Sequence, residues 1–157
     1  MVEKNPITPE GYTRLRDELN HLRRVELPAV VQMIAVAREH GDLSENAEYH
    51  AARDRQSFIK GRMDDIENKL ARAEVIDPSK LQGDRVAFGA RVKVANESGE
   101  EFNYRIVGAD ETDTAKGEIS VTSPIARSLV GKEVGDEVKV RTPGGERVYE
   151  ILEVTFK

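Results

Sequence analysis

Apolar residues recur along the first half of the chain at alternating spacings of three and four. Tyr12, Leu15, Leu19 and Leu22 form one such run, the seam of a helix that packs against another helix. Thr8-Pro9-Glu10 supplies a cap residue, a first-turn proline and an acid at the positive end of the helix dipole, so the helix is predicted to begin there. Pro28 lacks an N–H and crowds the carbonyl four residues back, which predicts a kink. Beyond it Leu27, Val30, Val31, Ile34 and Ala37 continue the apolar stripe in a shifted phase, and Gly41 offers a stop. A second seam follows in Tyr49, Ala52, Gln56, Ile59, Met63, Ile66, Leu70 and Ala73. So short a connection makes the helices antiparallel neighbours, each arm spanning on the order of 45 Å at about 1.5 Å per residue. Such a pair buries only the stripe between its arms, which suits a part that reaches.

Near Asp77-Pro78 the period changes to two. Val86, Phe88, Ala90, Val92 and Val94 alternate with Ala87, Gly89, Arg91 and Lys93, and after the turn signal Asn96-Glu97-Ser98-Gly99 the alternation resumes at Phe102, Tyr104 and Ile106. Further strands are expected at 119–122, 137–142 and 147–156, with a short helix over 123–131 that opens on Ser123-Pro124 and closes on Gly131. The predicted fold class is therefore α+β: an N-terminal antiparallel coiled-coil hairpin over residues 1–77, and over 78–157 a small antiparallel sheet with one short helix.

Composition narrows the chemistry. The 157 residues include no Cys, which excludes disulfides, thiolate metal centres and thiol nucleophiles. Residues 1–77 carry 12 basic and 15 acidic side chains and residues 78–157 carry 12 and 14, so neither half is a basic platform for nucleic acid. No run is long and apolar enough to cross a bilayer and no targeting segment is visible, so a soluble, cytoplasmic protein without a membrane partner is expected.

Charge gathers where the two arms meet, at Arg38, Glu39, His40, Asp42, Glu45 and Glu48. One reading is local: Asp42 caps the second helix and Glu45 reaches back in a capping box. The other is chemical. Mg²⁺ takes one or two protein carboxylates and keeps several waters, so Asp42 and Glu45 could complete a two-metal hydrolytic centre whose other parts belong to a second macromolecule. Arg38, Arg53 and Arg55 flank the acids and either form ion pairs or line the path of a polyanion. The histidines lack metal-ligand spacing, Gly144-Gly145 lies in a hairpin turn and not in a phosphate loop, and no serine sits in a nucleophile elbow.

The stretch from Ala37 to Arg53, AREHGDLSENAEYHAAR, resembles the hairpin tip of the bacterial transcript cleavage factors of the GreA/GreB family, and its GreA members more than the basic GreB ones. Ser123-Pro124-Ile125-Ala126-Arg127 through Gly131-Lys132, with Thr142-Pro143-Gly144-Gly145, resembles the C-terminal domain of the same family. The resemblance implies that the second domain is like the FK506-binding proteins and docks on RNA polymerase, with Ser123, Pro124, Ile125, Ala126 and Arg127 as candidate docking positions. It implies that the hairpin enters the polymerase secondary channel. There Asp42 and Glu45 would help position the second Mg²⁺ and a water, so that polymerase cleaves the 3′ segment of backtracked nascent RNA and elongation resumes. Arg38 and Arg53 match basic positions near the RNA path, and Ser44 stands where some members carry a basic residue. On this reading the protein is a cofactor of an enzyme, holding no tightly bound metal when free. The alternatives are a channel-occupying regulator that inhibits without cleavage and, on fold analogy alone, a prolyl isomerase.

Overall fold

The computed structural model describes residues 4–41, 45–81 and 83–156. Two compact units partition the chain: residues 12–72 form one, and residues 3–11 join 73–157 in the other.

The first unit is a helical hairpin. Its first arm comprises α1 (Pro9–His21), a π-helical turn over Leu22–Glu26 and α2 (Leu27–Glu39), and α3 (Ala47–Arg72) is the return arm. Leu15, Leu19, Leu22, Val30, Ile34 and Ala37 are buried on the first arm, against Tyr49, Ala52, Ile59 and Ile66 on the second. Arginine ion pairs among the described residues accompany the antiparallel register: Arg62 to Glu18, with both Nε and Nη2 donating, at 2.6 and 2.8 Å, Arg55 to Glu26 at 2.8 Å and Arg23 to Glu67 at 2.8 Å. The Arg62 guanidinium holds Glu18 below the usual carboxylate range.

The shift of phase in the first seam has its cause in the π turn. An uninterrupted pattern would follow Leu22 with positions 26, 29 and 33, whereas the buried residues are Val30 and Ile34, one place later. In the π turn the N–H of Leu27 bonds to the carbonyl of Leu22, five residues back, and this absorbs the additional residue. The turn lies directly before Pro28, whose ring crowds the carbonyl at position 24.

The second unit is built on a five-stranded sheet of order β5-β4-β3-β7-β6, comprising β3 (Arg91–Ala95), β4 (Glu101–Val107), β5 (Glu118–Ser120), β6 (Glu137–Thr142) and β7 (Gly145–Thr155). Its pairings are antiparallel except β4 with β5, which is parallel. A bulge between Lys93 and Val94 leaves Leu152 on β7 without a partner on β3, and Leu152 accordingly faces outward. One face packs Val92, Val94, Ile106, Val138, Val140 and Ile151 against Ala126 and Leu129 of the short helix α4 (Pro124–Leu129).

Two features were not anticipated from the sequence. The strand expected from Val86 onward starts at Arg91: Phe88-Gly89 forms a turn, with Gly89 at φ +84° and Ala90 N–H bonded to Ala87 O, so the alternation at Val86, Phe88 and Ala90 reflects burial around that turn. A two-stranded parallel ladder joins β1 (Asn5–Ile7) to β2 (Ala73–Val75). Beside it, the Glu111 carboxylate, only 5% exposed, accepts hydrogen bonds from the backbone N–H of Thr8 (3.0 Å) and of Gly108 (2.7 Å) and from the Thr8 hydroxyl. The same Thr8 oxygen accepts from Gly11 N–H at 3.1 Å, which is the expected cap of α1.

Candidate functional site: the hairpin tip

The first arm ends as its sequence foretells. His40 is the last residue in the right-handed helical region, and Gly41 follows at φ +89° with its N–H on the carbonyl of Arg38 at 3.2 Å. A side chain with a Cβ is strained in that conformation, so glycine is the natural stop.

The return arm starts differently from the capping-box expectation. Its first helical residue is Ala47 and its cap is Asn46: the Asn46 side-chain oxygen accepts the N–H of Tyr49 at 3.0 Å, and the Asn46 carbonyl accepts the N–H of His50 at 3.1 Å. Glu45 therefore lies before the cap and cannot be the third helical residue of a box. Its side chain is exposed, and among the described residues no hydrogen bond or ion pair engages it. Asp42 and Ser44 lie outside the described residues.

Asn46 also reaches the other arm, where its side-chain N–H donates to the carbonyl of Ala37 at 2.7 Å. That carbonyl belongs to the last turn of α2 and already accepts His40 N–H at 3.1 Å. Ala37 and Ala52 are nearly inaccessible, and their small side chains let the arms approach.

Behind the cap, the Tyr49 ring is buried between two cations. The Arg38 guanidinium lies 5.9 Å from the ring centroid and that of Arg53 lies 5.7 Å away, while Arg53 Nη1 donates to the phenolic oxygen at 2.8 Å. The Arg38 and then the Arg53 guanidinium draw the Tyr49 hydroxyl below its ordinary value of 10.0. Arg38 and Arg53 thus come together, and they share a groove of about 290 Å³ with Val31, Ile34, Ala35 and Gln56. Arg55 instead points to Glu26 and the Phe58 ring. On the outer side, His40 Nδ1 stands 3.4 Å from Glu48 Oε2, an exposed contact of small energetic weight.

The described residues hold no cluster of three or more metal-ligating side chains. Among the described tip residues, Glu45 carries an exposed carboxylate, an oxygen donor of the kind Mg²⁺ takes one or two of while keeping several waters.

In the second unit, the five docking candidates divide by burial. Ser123 caps α4 by accepting Ala126 N–H at 3.3 Å and donating to Ser120 O at 2.7 Å, Ala126 is wholly buried and Ile125 is half-buried. Pro124 and Arg127 are the two exposed members. Sequence reasoning missed Asn46, although an Asn immediately before the amphipathic run was a legible cap signal, and it read Tyr49 only as a seam residue.

Comparison with known proteins assigns the chain. The family described as "Transcription elongation factor, N-terminal" matches residues 5–75, and "Transcription elongation factor, GreA/GreB, C-term" matches 81–156. The transcription elongation factor GreA of Thermodesulfovibrio yellowstonii is 51% identical over 100% of both chains, and that of Phenylobacterium zucineum is 57% identical over 99% of both. Among solved structures, a GreA/GreB elongation factor from Nitrosomonas europaea is 29% identical, with 98% of this chain and 100% of that chain covered at a TM-score of 0.44. With both family domains matched in order and full-length relatives more than half identical, this chain belongs to the GreA/GreB family of transcription elongation factors.

Proposed function

We propose that this protein stimulates RNA polymerase to cleave the 3′ segment of backtracked nascent RNA, with the hairpin tip inserted through the secondary channel and the C-terminal unit docked at its rim. The observation that carries the proposal is the position of the α3 cap. Because Asn46 caps the helix, Glu45 is not engaged in the cap and its exposed carboxylate is available to a cation supplied by the polymerase.

Asp42 and Glu45 would hold a Mg²⁺ shared with the acids of the polymerase; that cation, when bound, supplies Lewis acidity and a water of lowered pKa. The protein's own contribution is to place negative oxygens, and to bring Arg38 and Arg53 to the same end of the hairpin, where their positive charge favours the displaced RNA. One or two exposed carboxylates bind Mg²⁺ weakly, so activity belongs to the complex and not to the free factor. The exposed Pro124 and Arg127 on α4 are the docking contacts of choice.

The test is a backtracked elongation complex carrying labelled RNA, with and without the protein and its Asp42→Ala/Glu45→Ala variant. Rapid release of 3′ fragments is expected with the native chain alone, while the variant still competes for polymerase. Equal cleavage by both proteins refutes the role of the acids. Inhibited synthesis without fragment release identifies a channel-blocking regulator instead.

A further inference from the structure

We infer that Asn46 is a positioning residue for the tip, a staple that ties the end of one arm to the start of the other so that the Glu45 carboxylate is presented in one arrangement. The inference rests on the cleavage reading above, and assigns to Asn46 a part distinct from that of the acids.

The argument starts from the chemistry of one planar amide. Asn46 is an acceptor toward Tyr49 N–H on its own helix and a donor toward Ala37 O on the other arm, at 3.0 and 2.7 Å. Turning the amide over would place two donors face to face at Tyr49 and two acceptors face to face at Ala37, so the two partners define its orientation. Aspartate would keep the cap but set a carboxylate against a carbonyl. Serine would keep a cap oxygen but is too short to reach the other arm. Asparagine alone among the good cap residues does both at this spacing.

The consequences run in both directions from this residue. Glu45 is its immediate neighbour, so the backbone that carries the carboxylate is anchored at Asn46. Tyr49, whose N–H the cap receives, holds the guanidiniums of Arg38 and Arg53 about its ring. Loss of the staple should therefore loosen the acidic and basic groups together, without changing the surface of the second unit. Misplacement by about 1 Å in a preorganised site can cost on the order of 100-fold in rate.

The experiment compares the full-length protein with Asn46→Ser and Asn46→Ala in the cleavage assay, over a series of factor concentrations. For Asn46→Ser we expect unchanged helix content, an unchanged factor concentration for half-maximal stimulation, and a maximal cleavage rate reduced by about 10- to 100-fold. Asn46→Ala should show the same loss of rate together with fraying of the first turn of α3. In parallel, ¹⁵N relaxation on the free proteins should report a lower order parameter at the Glu45 amide in both variants. If the native protein stimulates and Asn46→Ser matches its maximal rate, the staple is not a positioning device. If the native protein does not stimulate, the cleavage reading fails, and an unchanged Glu45 order parameter in Asn46→Ser would independently overturn the staple.

Discussion

Replacing Glu111 should cost this protein more than any surface substitution of equal size. The carboxylate accepts hydrogen bonds from Thr8 N–H, Thr8 Oγ1 and Gly108 N–H in a site where it is 5% exposed. In Glu111→Leu every acceptor disappears, and a buried donor left unsatisfied costs about 1–3 kcal/mol. Counting the two backbone N–H groups alone gives a loss of about 2–6 kcal/mol. Glu111→Gln keeps one acceptor oxygen and turns an NH₂ group toward donors, so its loss should be smaller, about 1–3 kcal/mol. Chemical denaturation followed by circular dichroism measures the global term, and hydrogen exchange at the Thr8 and Gly108 amides measures the local one. Both variants unfolding within about 0.5 kcal/mol of the native protein, with unchanged exchange at those amides, would refute the reasoning, since surface changes fall in that range.

Three further outcomes follow from the same contacts. Ile66→Ala removes a fully buried side chain from the hairpin seam and should destabilise it by about 3 kcal/mol in denaturant titration, whereas Phe58→Ser, at an exposed position, should fall within about 0.5 kcal/mol. Gly108→Ala would place a Cβ 2.5 Å from Pro6 O and 2.7 Å from Glu111 Oε2; backbone must move, and a drop in Tm of several degrees is expected, whereas Gly61→Ala, inside α3 and facing open space, should raise Tm. Ionised Glu18 stabilises the hairpin above its ordinary value of 4.5, and this contribution fades as pH falls through its lowered native value. The stability difference between native and Glu18→Gln protein should accordingly be under about 1 kcal/mol near neutrality and shrink in acid, as thermal melts at a series of pH values would show.

Long-range periodicity carried most of the fold in advance. Leu15, Leu19, Val30, Ile34, Ile59 and Ile66 were recognisable as seam residues because each repeats at a spacing that only one secondary structure satisfies. The α4 helix was equally legible, since Ser123-Pro124 and Gly131 mark its ends by local backbone chemistry. The failures occurred where burial is produced by something other than a regular element. Val86, Phe88 and Ala90 alternate like a strand but surround a turn, and Asn5–Ile7 is too short a segment, with a proline inside, to announce a strand. Glu111 carries no such mark, because nothing in its local sequence signals that a carboxylate will meet donors from position 8. At the tip, the sequence located the acids and the arginines. It placed the helix start too early, since Asp42 and Asn46 are both good caps and only packing between the arms selects Asn46.

The π turn at Leu22–Glu26 makes the distal part of the hairpin answerable to residue count. An α-helix advances about 100° per residue, so restoring ordinary helical winding there while keeping every residue would swing Val30, Ile34 and Ala37 around the arm axis by roughly that angle, whereas losing the π turn together with one residue would return them to the seam. The azimuth at which Arg38 emerges is thus set some four turns upstream, by a local irregularity that touches none of the chemistry. A chain that shed the extra residue and the π turn together would keep its working end on the same bearing, whereas either change alone would turn it.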